Sequence, residues 1–117
     1  MKFHFFKCLT IFNIGLSFCF ANIERGQEVY NQICFNCHGP KLDGGIGPSL
    51  VDSYWKNGDS YDAVYRSIAK GVTGTEMIAY ELVYPEKDLH SLTEFIIDKQ
   101  EGNRQTLRST YGWDYFV

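Results

Sequence analysis

Apolar residues Ile23, Val29, Tyr30 and Ile33 recur at spacings near three and four, the period of an amphipathic helix. This helix is predicted to end as it reaches Cys34, so that the cysteines follow a helix; no strand pattern rich in β-branched residues precedes them. A second helix is predicted over "YDAVYRSIAK", opened by Asp59 or Ser60 as its cap and stopped by Gly71, with Tyr61, Val64, Tyr65, Ile68 and Ala69 on one face. A third should take Pro85 as its first residue, Glu86 and Asp88 in its first turn, Leu89, Leu92, Phe95 and Ile96 as its buried stripe, and Gly102 as its stop. The outline is all-α, with three main helices and two long loops.

Both loops are candidates for function, because a long loop in a small domain is seldom idle. Residues 39–58 are glycine-rich and hold two of the three prolines, so the backbone there can turn sharply and approach another surface closely. The second loop, "VTGTEMIAYELVY", leads into Pro85. No internal repeat or low-complexity segment interrupts this plan.

The chain has 117 residues, 44% hydrophobic and 21% charged, which suits one small globular domain. Residues 1–21 read as a secretory signal peptide: Lys2 and Lys7 lead, an apolar run spans Cys8 to Phe20, and Ala21 offers a small cleavage residue. A retained anchor is the competing reading, but Thr10, Asn13 and Ser17 break a run already shorter than a spanning helix needs, so no stable membrane span is expected after cleavage. The remainder divides into a domain over 22–101 and an aromatic tail over 102–117. Cleavage removes Cys8 and Cys19 and leaves nine basic against fourteen acidic side chains, a formal charge of −5. An acidic domain argues against nucleic acid as a partner. A core of this size is often completed by a disulfide or a large apolar cofactor.

The two remaining thiols lie together in "CFNCHG", where Cys34 and Cys37 are followed at once by His38. Three chemistries are open to this cluster. A disulfide redox motif would follow a strand, which acidifies the first thiol at a helix start, whereas here a helix precedes. A structural zinc site needs further ligands, and beyond the cluster the exported chain offers only His90. A heme site uses every part: each thiol can add to a porphyrin vinyl group, and His38 then falls beneath the iron.

From about Ile23 to Lys99 the chain resembles the class I c-type cytochromes. The resemblance implies a small cytochrome c fold, its three main helices and long loops wrapped around one covalently bound heme c attached at Cys34 and Cys37. It implies that Gly26 and Tyr30 pack across the last helix near Leu92 and Phe95. It implies that the Pro48 carbonyl in "GIGPSL" accepts the proton of the other nitrogen of His38, and that Met77 is the second axial ligand beside His38. Met77 is also the methionine that remains once Met1 leaves with the signal. Relatives often carry a proline after this methionine, where this chain reads "EMIAY"; its loss leaves the stiffness of the ligand loop open. "SLVDSYWKNGDS" resembles cytochrome domains that accompany quinoprotein (PQQ-dependent) dehydrogenases, which implies Trp55 against the heme edge. Lys56 or Arg66 would lie near a propionate, with plain solvation as the alternative for both.

The expectation is an exported, periplasmic carrier of single electrons with no substrate chemistry of its own. The resemblance points to redox partner proteins: a PQQ-dependent dehydrogenase as donor, an oxidase or another cytochrome as acceptor. Two further readings stand beside it. One is a heme protein that binds or senses small ligands by displacing Met77; the other is an interaction subunit using Tyr111, Trp113, Tyr115 and Phe116.

Overall fold

The structure, a computed structural model, describes residues 22–112, with the side chain of Tyr111 excepted. The signal segment and Trp113, Tyr115 and Phe116 therefore lie outside the described residues. Three helices form the frame, and no strand occurs among the described residues.

The first helix, α1, spans residues 22–38 without interruption; it is α-helical over 22–29, π-helical over Tyr30–Cys34, and α-helical again over Phe35–His38. The expected end at Cys34 is thus displaced by one turn, and both cysteines and His38 lie on the helix. The cause is the π turn, in which the Phe35 amide donates to the Tyr30 carbonyl five residues back and so carries the helix through the motif. Gly39 stops it at φ +83°, a conformation that side-chain-bearing residues rarely adopt.

The second helix, α2, is Tyr61–Lys70, as its pattern predicts; the Ser60 hydroxyl accepts the Ala63 amide at 3.3 Å and Gly71 ends it at φ +72°. Val64, Ile68 and Ala69 are buried, while Tyr61 and Tyr65 reach the rim, where both rings stack on His90. A 3-10 turn over Tyr80–Leu82 precedes the third helix.

The third helix, α3, runs Glu86–Tyr111. Pro85 stands at the cap just before it rather than at its first position. Leu89, Leu92, Phe95 and Ile96 form the buried stripe as predicted. Gly102, the expected stop, lies in mid-helix, since the chain has tertiary anchors around it that outweigh a glycine cost of ~1 kcal/mol. Gln100 is 1% exposed, and with its amide oxygen turned to the two donors facing it, it accepts from Trp55 Nε1 and Arg104 Nη2, both at 2.9 Å. Asn103 donates to the Val51 carbonyl, and Arg104 also binds Asp59 and Glu101. The aromatic tail thus starts as helix, and α3 is tied to the loop that carries Trp55.

The core sits where α1 crosses α3. A Cβ on Gly26 would lie 2.0 Å from the Ser91 carbonyl oxygen and 2.6 Å from Phe95 Cβ, so the two backbones meet where only glycine fits. Beside it the Tyr30 and Phe95 rings tilt together at 5.6 Å, which is the packing across the last helix that the resemblance implied. Arg25 closes the crossing with a two-pronged pair to buried Asp88, at 2.6 and 3.1 Å.

Candidate heme site

The end of α1 and the glycine-rich loop build one unit. The last carbonyls of a helix lack partners within it. Here the loop supplies them: Gly47 donates to the Cys37 carbonyl and Gly44 to the His38 carbonyl, each at 2.8 Å. Buried Tyr30, about two turns earlier, donates its hydroxyl to the Gly39 carbonyl at 2.6 Å, fixing the point where the chain leaves the helix. Leu42 buries its side chain at φ +59°, and its carbonyl takes the Leu50 amide at 2.8 Å.

This wrapping brings Pro48 to His38. His38 Nδ1 donates to the Pro48 carbonyl at 2.8 Å, which fixes the tautomer and leaves the Nε2 lone pair free for a metal. Gly47 leaves room for the ring, because a Cβ there would lie 3.1 Å from His38 Cε1 and 3.2 Å from its Nδ1. Cys34 is buried and Cys37 half-buried, and both are free thiols. Burial pushes the Cys34 thiol up to about 11, so it is protonated and a poor thiolate, unlike the acidified thiol of a redox motif. Among the described residues no group of three or more His, Cys, Asp or Glu gathers that could hold a metal ion, so a zinc tetrahedron finds no ligands beyond the motif.

Met77 lies on the second loop, half-buried at the edge of the cluster that also contains Cys34. Its carbonyl accepts the Val72 amide at 2.9 Å, and its own amide donates to the Thr75 hydroxyl at 3.2 Å. Trp55 is half-buried against the same cluster, and its indole N–H is used by the protein, at 3.2 Å from the Asp52 carbonyl and 2.9 Å from Gln100. Lys56 and Arg66 are exposed. The structure therefore unites Cys34, Cys37, His38 and Pro48, and holds Met77 and Trp55 on separate loops around the same core. Periodicity did not mark Gln100, Thr75 or the Tyr30 hydroxyl; a polar residue one turn beyond an apolar stripe was the available signal for Gln100.

Two thiols followed at once by an imidazole with one free nitrogen fit the attachment and ligation of a c-type heme. Residues 21–96 match the domain family described as cytochrome c oxidase, cbb3-type, subunit III. The chain belongs to this family. It is a cytochrome c domain, its cofactor is covalently bound heme c, and Cys34 and Cys37 lie in the family's C-x-x-C-H region.

Among curated proteins the cytochrome domain is 36% identical over 50 residues to the cbb3-type cytochrome c oxidase subunit CcoP of Rhodobacter capsulatus, covering 42% of this chain and 17% of that protein. It is 28% identical over 67 residues to cytochrome c55X of Stutzerimonas stutzeri, covering 57% and 58%. The chain thus spans less than two thirds of either relative. Among solved structures, cytochrome cL from Hyphomicrobium denitrificans aligns with TM-score 0.60 and 27% identity, over 64% of this chain and 45% of that one. Cytochrome cL from Methylophaga aminisulfidivorans, at TM-score 0.61 and 17% identity, covers 78% and 66% and supports the fold alone. Among the described residues no helix is long and apolar enough to cross a membrane.

Proposed function

We propose that the domain is an exported carrier of single electrons, with heme attached through Cys34 and Cys37 and its iron ligated by His38 and Met77. The observation that carries this reading is the 2.8 Å bond from His38 Nδ1 to the Pro48 carbonyl, which leaves one ring nitrogen as a ligand of fixed orientation. Heme, when bound, would supply a one-electron couple whose potential a thioether ligand from Met77 would raise. The chain does the rest. Gly47 and Pro48 hold the imidazole, the loop around Thr75 holds Met77, and Trp55, half-buried against the same cluster, would pack beside the heme.

The signal-like segment supports export into the periplasm, and the −5 charge of the remainder favours a partner with a basic docking patch. Likeness to a cytochrome cL and to CcoP is consistent with a dehydrogenase as donor, of the PQQ-dependent kind, and an oxidase or another cytochrome as acceptor. The competing reading, a heme protein that binds small ligands by releasing Met77, is favoured by one observation: no proline follows Met77 in "EMIAY".

A pyridine hemochrome, the optical spectrum and a Met77→Ala variant test both readings. The carrier predicts one heme c attached through two thioethers, and a weak near-infrared iron–sulfur band in the oxidised protein that Met77→Ala abolishes. Wild-type protein that is high-spin, or binds carbon monoxide rapidly when reduced, would overturn it.

A further inference from the structure

Met77 occupies an irregular stretch between Gly71 and the Tyr80–Leu82 turn, so no helix fixes its backbone. Its two backbone polar groups are nonetheless both bonded inside the loop. Val72 and Thr75 provide the bonds: the Val72 amide donates to the Met77 carbonyl at 2.9 Å, and the Met77 amide donates to Thr75 Oγ1 at 3.2 Å. Thr75 in turn donates its hydroxyl proton to the Val72 carbonyl at 2.7 Å, while its own amide reaches the same carbonyl at 3.1 Å. One hydroxyl therefore joins the residue that holds the Met77 carbonyl to the Met77 amide, and the loop closes on itself through that oxygen.

We propose that Thr75 is a positioning residue for the Met77 sulfur, taking the stiffening role that a proline beside the methionine would otherwise have. The inference rests on the reading of Met77 as an iron ligand. Its physical basis is that Thr75 is exposed, so water can replace the bonds of its hydroxyl one by one and the fold should tolerate their loss. What water cannot replace is the bridge through one hydroxyl from the Val72 carbonyl to the Met77 amide, which adds a second tie to the direct bond between the Val72 amide and the Met77 carbonyl. Without it the Met77 amide loses its protein acceptor, and the backbone angles that aim its side chain are held from the carbonyl side alone.

Thr75→Val keeps the shape of the side chain and removes both hydroxyl bonds; Thr75→Ser restores them; Thr73→Val, on an exposed neighbour, is the control. The expected result for Thr75→Val is a weakened near-infrared band, faster exchange of the Met77 amide proton, and imidazole binding to the oxidised iron that is faster by roughly three- to tenfold, the range one net hydrogen bond commands. Thr75→Ser and Thr73→Val should behave as wild type, and thermal unfolding should move little in all three. If Thr75→Val matures poorly, the same rate and exchange measurements on Thr75→Ala carry the test. A wild-type spectrum without the iron–sulfur band overturns the ligand reading and this inference with it. A wild-type band that persists in Thr75→Val, with unchanged imidazole binding and amide exchange, overturns the inference alone.

Discussion

In the proposed reading His38 and Met77 would ligate one iron, yet the segments that carry them are of opposite construction. His38 ends a helix whose shaft is pressed against α3 at Gly26, whose last carbonyls are capped by Gly44 and Gly47, and whose exit is fixed by buried Tyr30. Met77 sits in a loop held by hydrogen bonds that solvent reaches, and outside the loop the Lys70–Glu81 pair ties the end of α2 to the following turn. His38 is held as firmly as the core; Met77 is held only as firmly as one loop. Local opening draws on the least stable part of a structure first, so any departure from a closed carrier will begin at Met77.

Two glycine-to-alanine changes separate the halves, and the larger effect belongs to Gly26. The added Cβ would meet the Ser91 carbonyl at 2.0 Å, a backbone atom that cannot move without shifting α3. Gly26→Ala should cost more than the 1–3 kcal/mol usual for overpacking, out of a total near 5–15 kcal/mol. The expected outcome is little holoprotein after heme attachment, and a thermal midpoint at least about 10 °C lower in what survives. Near-normal yield and midpoint would mean that α1 and α3 do not cross as closely as described.

Gly71→Ala strikes the other half. Gly71 has φ +72°, and a Cβ there would lie 2.6 Å from the Met77 carbonyl oxygen. The strain should be about 1–3 kcal/mol and confined to the loop. Heme attachment and His38 ligation should survive while the near-infrared band is lost, so the spectrum changes more than the unfolding curve. Equal loss of both would merge the two halves into one cooperative unit.

The division also explains what could be read from the residues alone. The three helices and their buried stripes were legible because apolar spacing reports which face meets the core, and "CFNCHG" because three ligand-type residues in that spacing serve few other chemistries. Helix ends were not. A π turn through Tyr30–Cys34 carries α1 past its expected end, and Gln100, Asn103 and Arg104 carry α3 past Gly102. The second depends on partners distant in sequence, while the first and the Thr75 bond network depend on the exact turn of the backbone within a few residues.

The smallest expected effect concerns pH and lies on the His38 side. The Arg25 guanidinium, bonded at two points, holds the Asp88 carboxyl below its ordinary value of 3.8. A depressed carboxylate adds stability that is fully present above the unfolded value and is lost as pH falls through the folded one. The contribution therefore holds above about pH 4 and fades below it. Asp88→Asn should lower the thermal midpoint near neutrality and flatten its fall on acidification, so that the variant and wild-type curves converge once Asp88 is protonated in the folded protein. The near-infrared band should be unaffected at neutral pH, because the pair braces α1 and α3 and leaves the Met77 loop alone. Asp59, drawn down in the same way by Arg104 beside the Trp55 loop, stays intact in this variant and should keep part of the acid sensitivity. If the gap between the two midpoint curves stays constant from neutrality to acid, Asp88 acts through packing, and the electrostatic brace on α1 is withdrawn.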